Sequence, residues 1–122
     1  MGNLVLIVDD SSVVRQQLKS VLEGDGFRVI EADSGESGLE MARAHNADML
    51  IIDVNMPGMN GLEMLGEVRK LADHSKTPAF ILTTESSAKL LKVGKQVGAT
   101  AWIVKPFKPD VLLKGIRKVL KA

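Results

Sequence analysis

Six residues able to ligate or react follow short apolar runs. Asp9 and Asp10 follow LVLIV, Asp53 follows MLII, Thr83 and Thr84 follow AFIL, and Lys105 follows AWIV. Brought together they supply three carboxylates, two hydroxyls and one ammonium. Carboxylates at close quarters repel one another, which raises the pKa of at least one of them. A single Lys leaves the set near −2 when all are ionised. A hard divalent cation cancels that charge, and Mg²⁺ suits carboxylates, a backbone carbonyl and retained waters. A carboxylate neutralised in this way can attack phosphorus, while metal and Lys stabilise the charge developing on the phosphoryl oxygens. A hydroxyl at the same edge can donate to the phosphoryl group. The chemistry that fits is reversible aspartyl phosphorylation.

These groups meet only if the apolar runs are neighbouring strands. Residues 4–8, 27–30, 49–52, 79–82 and 101–104 are near-continuously apolar and rich in β-branched side chains, as strands covered on both faces are. Segments with helical period separate and follow them. Their apolar stripes are Val14, Leu18, Val21 and Leu22; Leu62, Leu65, Val68 and Leu71; Leu90, Leu91, Val93 and Val97; and Val111, Leu112, Ile116, Val119 and Leu120. The second helix, residues 35 to about 44, is the weakest, with only Leu39, Met41 and Ala42 on its face. Ser11 or Ser12 can cap the first helix and Ser34 the second. Gly24, Gly26 and Gly98 mark helix ends, and Pro109 a helix start. Strict alternation of strand and helix means a doubly wound (βα)₅ sheet of the α/β class. Ligands of such a sheet bind beyond the carboxyl ends of its strands. All six groups therefore share one edge, to which only the second strand contributes nothing. One Asp after a strand is ordinarily a turn or cap residue; complementary groups after four strands are a set.

Composition narrows the class. A chain of 122 residues, 45% hydrophobic and 25% charged, is ordinary for one globular domain. The expectation is a single domain over residues 1–122, complete at both ends. The absence of Cys excludes a disulfide framework and a thiolate metal site. No apolar run approaches the ~18 residues of a membrane span, and the N-terminus lacks the zones of a secretory signal, so the expected location is the cytoplasm. The net charge of +1 hides a division. Residues 1–85 carry 7 Lys/Arg against 14 Asp/Glu, whereas residues 86–122 carry 9 against Asp110 alone. One reading is an acidic site beside a basic surface that faces a partner; the other is solubility plus basic residues near helix C-termini.

The motifs VDDS at 8–11, IIDVNMPGMNGLEML at 51–65, ILTTES at 81–86 and WIVKPF at 102–107 resemble a response-regulator receiver domain over the whole chain. The separations of 30 residues from Asp53 to Thr83 and 22 from Thr83 to Lys105 agree. The run TTES…GK…GATAWIVKPF is similar to the CheY-type chemotaxis regulators. The resemblance implies a flavodoxin-like sheet of strand order 2-1-3-4-5. It also implies Asp53 as phosphoacceptor, Asp10 and Asp53 as Mg²⁺ ligands, Asp9 acting on the metal through water, and Asn55 offering its backbone carbonyl. Thr83 would be the switch hydroxyl and Lys105 the phosphoryl-contacting lysine, with a cis Lys105–Pro106 bond. Gly58 and Gly61 suit a tight, left-handed backbone beneath Asp53. Trp102 stands where the family most often has Tyr or Phe. It is either a core or interface residue or an aromatic that swings inward when Thr83 moves.

The resemblance further implies a sensor histidine kinase as phosphodonor and an output face made of the fourth helix, fifth strand and fifth helix. Lys89, Lys92 and Lys95 share a broad helix face. With Trp102 they are expected to bind an acidic amphipathic segment of a flagellar motor-switch protein or of the kinase. Asn55 and Glu85 flank the hydrolytic water's path in the family, so the phosphoprotein is expected to be short-lived, with or without a dedicated phosphatase. The expected state is monomeric, with no membrane insertion. Nucleic-acid binding is disfavoured by the acidic remainder and the few aromatics. An aspartate-nucleophile phosphatase would place an acid where Asn55 stands, and a flavodoxin-like cofactor site would need a phosphate cradle where DDSS stands. A stand-alone phosphate sink or phosphorelay shuttle is the rival within the family. His45 and His74 are expected to be solvated, Met49 and Met64 to be core, and Met56 and Met59 to be exposed beside the active loop.

Overall fold

Val5, Leu6, Ile7 and Val8 are all fully buried although alternate side chains of a strand face opposite ways. The sheet must therefore be covered on both sides, and it is. In a computed structural model describing residues 2–120, five parallel strands stand in the order β2-β1-β3-β4-β5. They are β1 (Leu4–Val8), β2 (Arg28–Ala32), β3 (Met49–Ile52), β4 (Ala79–Thr83) and β5 (Ala101–Val104). The helices are α1 (Ser12–Gly24), α2 (Gly35–Ala44), α3 (Gly61–Val68), α4 (Ala88–Gln96) and α5 (Pro109–Leu120).

One face of the sheet, with Val5, Ile7, Met49, Ile51, Phe80 and Leu82, packs on Leu18 and Leu22 of α1 and Leu112 and Ile116 of α5. The other, with Leu6, Val8, Leu50, Ile52 and Ile81, packs on Leu39 of α2 and Leu62, Leu65 and Val68 of α3. Leu90 and Val93 of α4 lie against that second core, partly buried. Each fully buried aliphatic side chain is worth roughly 1.5–3 kcal/mol relative to exposure, so the strand ends rest on a stiff base.

Local signals hold at the helix starts. Ser11, Ser34 and Ser87 each accept a hydrogen bond from the backbone N–H three residues on, and Asn60 with Glu63 forms a capping box. Gly26 and Gly98, at φ 91° and 92°, follow the ends of α1 and α4.

Several expectations need correction. β2 starts at Arg28, because Phe27 N–H is taken by Leu22 O at 3.0 Å and closes the end of α1. β4 runs one residue further than the apolar run, to Thr83. Leu71 lies beyond α3, and a 3₁₀ turn, Ala72–His74, follows it. Val111 is exposed, on the outer side of α5, and Met56 is buried while Met59 is half-buried. Above all, His74 is buried rather than solvated. Its Nε2 lies 2.8 Å from Ala42 O and 3.1 Å from His45 O, so that nitrogen carries the proton, and Nδ1 meets Thr77 Oγ1 at 2.9 Å. The ring ties the end of α2 to the segment before β4.

Candidate functional site

The pairing of Val8 with Ile52 brings Asp9 and Asp53 level at the carboxyl edge of the sheet. Their backbones are still held by the ladder: Asp9 N–H donates to Ala32 O at 3.2 Å and Asp53 N–H to Val8 O at 2.9 Å. Asp9 and Asp53 are buried, at 2% and 6% exposure, whereas Asp10 faces solvent. Carboxylate oxygens of the three acids lie within 4.8 Å of one another. From the end of β5, Lys105 Nζ reaches Asp9 Oδ2 at 2.8 Å and Asp53 Oδ2 at 3.3 Å. The remaining oxygens face backbone amides, Asp9 Oδ1 accepting from Ser11 N–H at 2.9 Å and Asp53 Oδ1 from Asn55 N–H at 3.4 Å. The Lys105–Pro106 bond is cis.

Burial pushes the Asp9 carboxyl above its ordinary value, against the lowering by Lys105 and the Ser11 amide. The charge of Asp53 adds to the rise but is secondary, so desolvation, rather than the like-charge repulsion expected from sequence, dominates. Burial alone would depress Lys105; hydrogen bonds and charge from Asp9 and Asp53 outweigh it and raise its pKa, keeping it an ammonium. One cation thus faces three acids. Hard oxygen donors, an excess of negative charge and one acid open to solvent are the donor set a divalent cation such as Mg²⁺ requires.

The loop after β3 is shaped by two glycines in different ways. Gly58 has φ +74°, the left-handed value expected. Gly61 does not; a Cβ there would lie 2.0 Å from Asp53 O and 2.8 Å from Ile52 Cγ2. The start of α3 is pressed against the Asp53 backbone, and only Gly permits that approach.

Thr83 is fully buried at the end of β4. Its hydroxyl accepts from Glu85 N–H at 3.3 Å, and the carbonyl of Glu85 accepts from Trp102 Nε1–H at 2.8 Å. Thr84 is exposed and borders, with Lys105, an apolar cavity of about 820 Å³ between α1 and the segment after β5. Trp102 is half-buried against the α4 side of the core. Its ring fills a notch at Gly94, where a Cβ would come within 2.9 Å of Cζ3. Lys89, Lys92 and Lys95 are exposed on α4, and no ion pair engages them among the described residues. Two residues escape notice in the sequence: Gly94 has the look of a helix defect, and Arg15 that of a solvated helix residue. Arg15 Nη1 in fact donates to Asp9 O at 2.7 Å.

A five-stranded (βα)₅ sheet thus carries an acid cluster and a lysine at its carboxyl edge, where ligands of open parallel sheets bind. The response regulator receiver domain model matches residues 5–117, and the chain belongs to that family, the receivers of two-component signalling. Its likeness to relatives of similar length is high. Protein PilH of Pseudomonas aeruginosa is 36% identical over 116 residues, 95% of this chain and 96% of the relative. Chemotaxis protein CheY of the same organism is 36% identical over 118 residues, 96% and 95% respectively. The solved structure of chemotaxis protein CheY4 of Vibrio cholerae matches with a TM-score of 0.93 at 42% identity, covering 98% of this chain and 99% of that one.

Proposed function

We propose that this chain, acting as one unit over residues 1–122, is a switch thrown by phosphorylation of Asp53. The observation that carries the reading is the Asp53 carboxylate, buried at the sheet edge 3.3 Å from an ammonium and clustered with two further acids. The phosphodonor is the phosphohistidine of a sensor kinase. An oxygen of Asp53 attacks phosphorus, the phosphorus–nitrogen bond breaks, the imidazole leaves with its electron pair and takes up a proton, and an aspartyl phosphate remains. Asp10, Asp53 and the backbone carbonyl of Asn55 would hold Mg²⁺, with Asp9 acting through a water; the ion supplies charge neutralisation for the attack and for the phosphoryl oxygens. Lys105 leaves Asp53 Oδ2 for a phosphoryl oxygen and neutralises charge there. The Thr83 hydroxyl, now bound by the Glu85 amide, turns to donate to the phosphoryl group. Asn55 and Glu85 orient the water that later hydrolyses it.

The output face is α4, β5 and α5, with Trp102, Lys89, Lys92 and Lys95 contacting an acidic amphipathic segment. The likeness to two chemotaxis proteins favours a flagellar motor-switch partner. The location proposed is the cytoplasm and the state monomeric; among the described residues no helix is long and apolar enough to cross a membrane.

The test is the intact mass after incubation with Mg²⁺ and acetyl phosphate, beside Asp53→Asn. One added phosphoryl group in the wild type alone is expected. An adduct retained in Asp53→Asn would contradict the assignment, as would no adduct under conditions where hydrolysis is blocked by rapid acid quench.

A further inference from the structure

Asp9 and Asp53 each have their carboxylates fixed by Lys105 and a backbone amide. Asp10 does not: among the described residues, no hydrogen bond holds its side chain, which is exposed. Its place in the cluster therefore depends on its backbone. That backbone is held on both sides: Ser11 N–H, in the peptide after Asp10, donates to Asp9 Oδ1 at 2.9 Å, and Arg15 of α1 grips the peptide before it. Arg15 Nη1 donates to the carbonyl of Asp9, at 2.7 Å, and this carbonyl belongs to the peptide joining Asp9 to Asp10. The guanidinium is itself braced, since Nε donates to Glu31 Oε1 of β2 at 3.1 Å, and Lys19 Nζ lies 3.8 Å from Glu31 Oε2. Arg15 is only 18% exposed, so it is not a surface charge swinging in water.

We propose that Arg15 is a positioning residue for the divalent-cation site, fixing the plane of the Asp9–Asp10 peptide so that the Asp10 carboxylate is already aimed into the cluster. The inference rests on the Mg²⁺ reading above. Planar geometry is what allows the role: one guanidinium spans a peptide carbonyl and a carboxylate at once, which a lysine ammonium on a flexible stem cannot reproduce with the same rigidity. Groups that orient metal ligands from behind typically contribute 10–100-fold in affinity. The contact reaches the peptide rather than a carboxylate, so the effect of its loss falls on the placement of Asp10. The clamp ends at β2, the one strand that contributes no chemical group to the edge, and gives it a part in the site.

The experiment is calorimetric titration of the unphosphorylated protein with Mg²⁺, in wild type, Arg15→Met, Arg15→Lys and Glu31→Gln, with thermal unfolding of each without metal. Arg15→Met should weaken Mg²⁺ binding on the order of 10-fold, with Arg15→Lys and Glu31→Gln intermediate. The Mg²⁺ concentration for half-maximal phosphorylation by acetyl phosphate should rise in parallel, while the rate at saturating Mg²⁺ returns to the wild-type value. If Arg15→Met fails to fold, the two milder variants carry the same comparison. Folded variants that bind Mg²⁺ within twofold of wild type, whatever their melting temperatures, would overturn the proposal and leave Arg15 a structural clamp. A wild type that binds no Mg²⁺ would instead overturn the metal reading, and this inference with it.

Discussion

Trp102 donates its indole Nε1–H to the backbone carbonyl of Glu85 at 2.8 Å, across the gap between β5 and the segment leaving β4. The amide of the same Glu85 donates to Thr83 Oγ1 at 3.3 Å. One residue's backbone therefore joins the hydroxyl at the sheet edge to the aromatic ring beneath α4. In the proposed switch, a Thr83 hydroxyl drawn to a phosphoryl group releases the Glu85 amide, the segment shifts, and the indole loses its acceptor.

The notch for that ring is Gly94. In an exposed helix, Gly→Ala gains about 1 kcal/mol. At Gly94 the added Cβ meets Trp102 Cζ3 at 2.9 Å and Cε3 at 3.0 Å, and overpacking of this kind costs about 1–3 kcal/mol. Gly94→Ala should therefore lower stability by about 1 kcal/mol net and shift Trp102 emission to the red. Gly66→Ala, whose nearest neighbour is Val97 Cγ1 at 3.9 Å, should raise stability by up to about 1 kcal/mol. Denaturant melts of the two variants check both signs.

Asp9 stands above its unfolded value because burial disfavours its charged form. Its contribution to stability is therefore complete below the unfolded pKa of about 3.9 and is lost as pH rises through the folded value. Metal-free protein at neutral pH carries that loss. Asp9→Asn should then raise the melting temperature at neutral pH in EDTA and leave it little changed near pH 3. A lower melting temperature at neutral pH would show that the Lys105 contact outweighs the burial of the charge.

Much of this was legible in the sequence, and the failures have physical causes. The strands stood out because burial on both faces leaves an unbroken apolar run, and the chemistry stood out because it begins where those runs stop. His74 was misread because its partners, Ala42 O and His45 O, are backbone carbonyls some 30 positions away, and carbonyls have no sequence signature. Arg15 was missed for the same reason. Met56 was misplaced because a loop can fold its own side chain inward, a matter of geometry that periodicity does not carry. Gly61 was assigned the right residue type for the wrong reason, close approach to Asp53 O having replaced a left-handed turn.

Asn55 is exposed and Glu85 half-buried at the rim of the site, and both can orient water. Replacing both with apolar residues of similar size should slow loss of the phosphoryl group severalfold without changing the site's capacity for it. Decay followed by intact mass after removal of the donor is the measurement, and an unchanged rate would remove both residues from the hydrolytic path.

The exposed lysines of α4 predict electrostatic recognition. Binding of the phosphorylated protein to an acidic amphipathic peptide should weaken in Lys92→Glu and fall with salt, chiefly through a slower on-rate. Affinity indifferent to both would move the output surface elsewhere.

The most direct test of the central claim is Trp102 fluorescence on addition of beryllofluoride with Mg²⁺, in wild type, Asp53→Asn and Thr83→Ala. As the only tryptophan, Trp102 reports its own surroundings. A change in wild type that vanishes in Asp53→Asn and is strongly reduced in Thr83→Ala is the predicted result. A wild-type signal that stays silent, or one that survives intact in Thr83→Ala, would contradict coupling between the acid cluster and the α4 face.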